Sequence, residues 1–341
     1  MSLVRPLTRP FVRNISVAAT AATLALSLAA CGSTKGEAAA AADTDGTTHV
    51  KIAVAAGDSY PTATIDVATQ EKIRDELPKD LVKSGKLVIG EGALPTGFPP
   101  LAFVGDDDTT ITGAEPDLGR LVAAVFGLEP EITNATWDNL FVGIDSGKTD
   151  VGFSNITDTE KRKEKYDFAS YRQDNLGLAV KGDNQLDFTG DPAVLDGLTV
   201  AVGAGTNQEK ILVEFNDKLK AAGKEGIDIK YYSDNTAIWT ALESGQIDAY
   251  FGPNPGIAYE EAQTGDKFRT AGTYSGAGAS LQGLIAATVK KDSGLAQPVA
   301  DAINFLIENG QYAEWLKTYN LTNEAVAKSE VNPAGLPLDN S

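Results

Sequence analysis

The sequence predicts an α/β chain folded as two lobes that face each other across a ligand cleft. Three observations lead there. At 341 residues the chain exceeds the roughly 100 to 200 residues of one domain. From Leu87 onward, short β-rich runs alternate with helical periods, as βαβ units and an open parallel sheet require. One unit is written twice: Ile144-Asp145-Ser146-Gly147-Lys148-Thr149-Asp150-Val151 is echoed 98 residues later by Leu242-Glu243-Ser244-Gly245-Gln246-Ile247-Asp248-Ala249.

Composition narrows the function classes. Hydrophobic residues at 42% and charged residues at 22% match a chain that folds in water, against wholesale disorder or a multi-span membrane protein. The 47 acidic residues against 29 Lys plus Arg give a net charge of −18, the wrong sign for following a phosphate backbone, so no nucleic acid is expected. One Cys and one His provide no internal disulfide, no Cys-rich metal site and little for His-based catalysis. Neither metal nor cofactor is expected.

Taken in order, Arg5, Arg9 and Arg13 precede an apolar, small-residue run from Ile15 to Ala30, which reads as an export signal and is too diluted by Ala and hydroxyls to span a bilayer. It ends in Leu28-Ala29-Ala30-Cys31-Gly32, which resembles the lipobox of bacterial lipoproteins, whose Cys is acylated. Removing residues 1–30 leaves 26 basic against 47 acidic side chains, a balance of −21. Residues 32–48 have no periodic apolar pattern and read as a flexible tether, with His49 at its end and no catalytic role for it. Leu87-Val88-Ile89 is then the first strand of the folded core. Leu118, Leu121, Val122 and Val125 share a helix face, Gly127 stops that helix, and a strand follows near Glu131 to Asn134.

In the repeated unit, Gly147 and Gly245 supply the left-handed conformation that ends a helix, and the apolar run after each re-enters the sheet. The strands then deliver Ser154-Asn155-Ile156-Thr157 and Gly252-Pro253-Asn254 to the crevice at the carboxyl ends of an open sheet. Thr157-Asp158-Thr159-Glu160 fits a capping box, so a helix starting at Thr157 is expected, with an N-terminus that favours an anion. Arg162 in its first turns is either a carboxylate clamp or a solvated member of the run Lys161-Arg162-Lys163. In the second half, Gly203-Ala204-Gly205-Thr206-Asn207-Gln208 leads into a helix marked by Ile211, Leu212, Phe215 and Leu219. This turn lacks the Lys of a phosphate loop and the full Gly spacing of a dinucleotide fingerprint, leaving an anion-friendly or an ordinary tight turn. Phe98 and Trp137 are either cleft-lining rings or core residues, and Glu91 and Glu115 are loop acids that either meet a ligand cation or stay solvated.

Together these segments resemble the extracellular solute-binding proteins of polar amino acid ABC transporters, family 3. The likeness spans residues 80–322. It rests on Phe98-Pro99-Pro100, Gly113-Ala114-Glu115-Pro116-Asp117-Leu118, Trp137 with Leu140, Ser146-Gly147-Lys148-Thr149-Asp150, Thr159-Glu160-Lys161-Arg162 with Asp167-Phe168, Gly205-Thr206-Asn207-Gln208-Glu209 and Asn309-Gly310-Gln311-Tyr312. The resemblance implies a type II periplasmic-binding-protein-like fold whose lobes are joined by two crossing strands, here near Leu176 to Val180 and Phe268 to Thr273. It divides the chain into a lipoprotein signal (1–30), a tether and N-terminal extension (31–80), a discontinuous first lobe (81–177 and 273–330), a second lobe (178–272) and a C-terminal tail (331–341).

Carried over by position, Arg162, Thr157 and Asn155 would hold a ligand carboxylate with Thr206 and Asn207 opposite, and Phe98 and Trp137 would sandwich its side chain. At the place where the family sets an acid for the α-ammonium, this chain has Pro253 followed by Asn254. The ammonium then meets Glu91 or Glu115, or the ligand lacks a standard α-amine. The implied function is a non-enzymatic, monomeric lipoprotein, anchored through Cys31 on the extracytoplasmic face, which presents an amino acid or related small carboxylate to a membrane permease and its ATPase. The alternatives on the same fold are a dehydratase similar to cyclohexadienyl dehydratase, with Glu91 or Glu115 as general acid, and a ligand sensor.

Overall fold

The computed structural model describes residues 46–92 and 97–338. The chain groups into Met1–Ala38, outside the described residues, and Ala39–Ser341, to which everything below refers. The export signal and Cys31 therefore lie outside the described residues.

The extension before the first expected strand is described from Gly46 onward. β1 (Thr47–Ile52) and β2 (Ala63–Ala68) form an antiparallel hairpin in which Val50, Ile52, Ile65 and Val67 point inward. This corrects the end of the expected tether: Thr47 and Thr48 already pair with Ala68 and Val67, because Thr-His-Val-Lys-Ile alternates outward and inward as a half-buried strand must. His49 faces its register partner Asp66, with Nδ1 2.6 Å from Oδ1. Two short helices follow, α1 (Glu71–Arg74) and α2 (Lys79–Ser84).

The first lobe is built on β3 (Lys86–Glu91), the small pair β4 (Phe103–Val104) and β5 (Ile111–Thr112), α3 (Ala114–Phe126), β6 (Glu129–Asn134), α4 (Trp137–Ser146) and β7 (Val151–Gly152). β3 pairs in parallel with β6 and β7. Every residue of α3 is buried, since sheet, hairpin and C-terminal helices enclose it. Its charges survive there by pairing: Asp117 accepts from the Ala53 N–H at 2.7 Å and from the Tyr319 hydroxyl, and faces Arg120 at 2.5 Å.

Residues 157–164 do not form the expected helix. Thr157 bridges to Ile285 as extended chain, and the Thr159 hydroxyl accepts the Arg162 N–H at 3.1 Å above a 3₁₀ turn of only three residues, Arg162–Glu164. The expected capping box is absent, because Thr157 is extended and Glu160 turns to Lys163 and Gly335, and the chain re-enters the sheet at Tyr166 before a helix can grow.

β8 (Tyr166–Lys181) is 16 residues long and serves both lobes. In the second lobe follow β9 (Thr199–Gly203), α5 (Asn207–Ala221), β10 (Asp228–Tyr232), α6 (Asn235–Ser244), β11 (Ala249–Pro253), α7 (Asn254–Thr264) and β12 (Phe268–Ser275). The chain returns through β13 (Gly283–Lys290) and ends on α8 (Ala296–Glu308) and α9 (Gln311–Thr318). The strand order is β10-β9-β11-β8-β13-β7-β3-β6, with β12 also on β8. Residues 166–174 of β8 pair with β13, while 175–181 pair with β12 and 176–179 with β11. The outward crossing thus falls at Asp174 and Asn175, slightly before Leu176, and the return runs between Ser275 and Gly283 rather than at Phe268 to Thr273. The change of partner coincides with the polar run Arg172-Gln173-Asp174-Asn175, between the apolar stretches that pair in each lobe.

The repeated motif is the same structure twice. α4 and α6 both span ten residues and end on a left-handed glycine, Gly147 at φ 73° and Gly245 at φ 76°. Asp150 then exchanges bonds with Val88, N–H to carbonyl at 2.9 Å and carboxylate to N–H at 2.8 Å; Asp248 does the same with Thr199, at 2.8 Å for both.

Candidate functional site

Between the lobes lies a cavity of about 490 Å³, within the range of small-molecule sites. The segments after β3 and β7 and the starts of α3 and α4 wall one side of it, and the carboxyl ends of β9, β10 and β11 with the starts of α5 and α6 the other.

Arg162 is the cation of this cavity. Nη1 donates to the Thr157 carbonyl at 2.9 Å, which fixes the fork, and the guanidinium carbon sits 5.5 Å from the Trp137 ring centre and 5.6 Å from that of Phe141. Burial pulls its pKa down to about 10 against the opposing pull of Asp174, Tyr166 and Asp158, so it stays charged at neutral pH. Thr157 donates its hydroxyl to Asp174 at 2.7 Å, so Thr157 turns its carbonyl to the arginine and its side chain to a buried acid. Asp174 is itself pushed up by burial and drawn back by Thr157, Arg172 and Arg162.

Opposite stands the start of α5. The Thr206 hydroxyl accepts the Glu209 N–H at 3.2 Å and donates to the Gly203 carbonyl at 2.7 Å, a true N-cap on a 15-residue helix. Asn207 donates to the Gly276 carbonyl at 2.5 Å, while its Oδ1 is buried with no partner. The helix start expected at Thr157 is absent, whereas that of α5 faces the cavity.

The remaining expected residues divide. Phe98, Trp137 and Asn155 line the cavity. Asn155 adopts φ 48°, and its Oδ1 accepts from Arg172 Nη2 at 2.5 Å. Glu115 also reaches the lining, from the first turn of α3 rather than from a loop; Arg172 at 2.8 Å and the Tyr171 hydroxyl hold it. Glu91 ends β3 fully buried, outside the lining, with both oxygens unpartnered; burial, then Glu115, drives its carboxyl well above the carboxylate range. Asn254 begins α7 outside the lining, which takes Pro253 instead. Neither is a free loop acid: Glu91 lies outside the lining, and Glu115 is paired with Arg172.

Sequence reading missed Tyr232, Asp234, Asn235, Ile238 and Tyr250, which also line the cavity, while Ser154, in the loop it did bring to the crevice, lines it too. Four of these lie where β10 passes into α6, and the rule that ligands sit at the carboxyl ends of strands could have found them. Asp234 caps α6 by accepting the Ala237 N–H at 3.2 Å. The lobes also touch across the mouth: Trp137 Nε1 donates to the Gly205 carbonyl at 3.3 Å, Asn235 Nδ2 to the Gly97 carbonyl at 3.2 Å, and the Phe98 ring packs on Gly256, where a Cβ would lie 2.5 Å from it.

Residues 92–322 match the family described as bacterial extracellular solute-binding proteins, family 3. The chain is 30% identical over 264 residues to the arginine-binding protein ArgT of Corynebacterium glutamicum, covering 76% of this chain and 83% of that one. It is 32% identical over 167 residues to the L-cystine-binding protein TcyJ of Escherichia coli K12, covering 48% and 58%. Among solved structures, an amino acid ABC transporter substrate-binding protein, AbpA of Streptococcus pneumoniae, bound to L-arginine, superposes with a TM-score of 0.60 at 24% identity, over 72% of this chain and 99% of that one, a likeness of fold.

Proposed function

The chain belongs to the bacterial extracellular solute-binding proteins, family 3, and from that membership we propose that it captures an amino acid or related small carboxylate between its lobes for an ABC importer. The protein acts as a binding protein and not as an enzyme, as a monomer on the extracytoplasmic face, held there by a lipid on Cys31, and passes its ligand to a membrane permease driven by an ATPase. The names of the arginine- and cystine-binding relatives support an amino acid as the ligand class.

One observation carries this reading. A guanidinium braced by Thr157 and backed by Trp137 lines a cavity whose other wall includes the capped start of α5. A carboxylate between them takes charge-assisted bonds from the fork and dipole stabilisation from the helix, and only when the lobes are together does it have both. Phe98 and Trp137 offer their faces to the rest of the ligand. Pro253 presents no charge, and Asp234 is the acid that the second lobe contributes to the lining.

Isothermal titration of the mature protein with the proteinogenic L-amino acids and L-cystine tests this. At least one is expected to bind at micromolar affinity or better, and Arg162→Ala to weaken it at least about 30-fold, as for the loss of one partner of a buried charge pair. Repeating the titration with the deaminated analogue of the best ligand reads whether an ammonium is held. No binding across the panel, or full affinity in Arg162→Ala, defeats the reading.

A further inference from the structure

The two segments flanking the family-matched residues 92–322 both cross from one lobe to the other. The turn of the N-terminal hairpin, residues 53–62, is seated on the first lobe: the Ala53 N–H donates to Asp117 at 2.7 Å, and the Ala55 carbonyl accepts the Asp106 N–H at 2.8 Å. Its tip reaches the second. Tyr60, 6% exposed, sits between Tyr319, just past α9, with ring centres 5.5 Å apart, and Tyr259 of α7, with ring centres 6.2 Å apart and planes 22° from parallel. Gln263, one helical turn beyond Tyr259, donates to the Ser59 hydroxyl at 3.4 Å.

The C-terminal tail does the same elsewhere. It runs along the first lobe through the Ser170–Glu330 and Phe168–Asn332 backbone bonds, both 3.0 Å, and the Thr159–Leu336 bridge. Lys163 donates to the Pro333 carbonyl, and the Gly335 N–H to Glu160 at 3.0 Å. Leu336, fully buried, then enters the apolar cluster of the second lobe with Ile211, Leu212 and Phe215. Lys210 of α5 donates to the carbonyls of Pro337 at 2.6 Å and Leu338 at 3.2 Å.

We propose that these two end segments are latches that hold the lobes together, in addition to the crossing strands. Opening the cleft must withdraw Tyr60 from Tyr259 and either Leu336 from its cluster or the tail from residues 158–170. Each contact exists only when the lobes are together, so each shifts the hinge equilibrium toward closure and raises apparent affinity for whatever the cleft holds.

Spin labels at Val142→Cys on α4 and Tyr231→Cys on β10, positions 61% and 53% exposed, report the interlobe distance in the full chain carrying Cys31→Ser. Pulsed electron resonance is expected to find a longer-distance population that grows in Tyr259→Ala, by about two- to tenfold for the loss of an aromatic pair, and grows further when Lys210→Met is added. Leu336→Ala should enlarge it most. If the Tyr259→Ala/Lys210→Met protein, with unchanged circular dichroism, keeps the parent distance distribution, the latches do not exist. No ligand enters the measurement, so its failure leaves the proposed capture of amino acids untouched.

Discussion

Lys161, Arg162 and Lys163 look alike in the sequence and have three fates. Lys161 is exposed and pairs with Glu164 at 2.8 Å; Lys163 turns inward to Glu160 at 2.7 Å and Asp158 at 3.3 Å; Arg162 enters the cleft. A 3₁₀ turn has three residues per turn, so successive side chains point roughly 120° apart, and sequence alone does not say which of the three faces the ligand. Asp158 has its own consequence. Fully buried, with Lys163 Nζ 3.3 Å from Oδ1, it is pushed up by burial to about 7 from an ordinary 3.8, against the pull of Lys163. Its folded-state pKa lies above the unfolded one, so the folded protein binds the extra proton between about pH 4 and 7, and stability falls as pH rises through that window. Thermal midpoints followed from pH 4 to 8 should therefore decline less in Asp158→Asn than in the parent. An identical slope in both would rule out the assignment.

At the scale of elements, the duplicated helix–glycine–strand unit was legible because its requirements are local: a left-handed residue after the helix, then an apolar run. Gly147 and Gly245 test the equivalence of the two copies. A Cβ at Gly147 would meet nothing within 4 Å, and at Gly245 only the flexible end of Lys181, so alanine at either site costs mainly the left-handed backbone, about 1 to 2 kcal/mol. Denaturant titration of Gly147→Ala and Gly245→Ala should give losses of similar size; a large loss at one and none at the other would contradict a shared role. Two element readings failed for a common reason. The helix expected from Thr157 and the crossings expected at Leu176 to Val180 and Phe268 to Thr273 depend on where the chain finds sheet partners, and Thr157 finds one in Ile285. The hairpin was missed differently: its alternation covers only six residues a strand, beside a polar stretch that masks it.

For the whole molecule, no helix among the described residues is long and apolar enough to cross a membrane. In a bacterial host, labelling with an alkyne palmitate analogue should mark the parent protein at Cys31 and should fail on Cys31→Ala, which is expected in the soluble fraction; an unlabelled parent would end the lipoprotein proposal. The sequence by itself determined the α/β class, the repeated unit and the helix that follows the Gly203–Gln208 turn, because periodicity and glycine conformation act over a few neighbouring residues. Only the tertiary structure decided that Glu115 is already tied to Arg172, that Glu91 stands behind the wall, that Asp234 and Tyr250 join the cleft, and that the hairpin turn and residues 330–338 reach from one lobe to the other. Those outcomes depend on which groups meet across dozens or hundreds of residues, and burial sets their charge and their partners only once they have met.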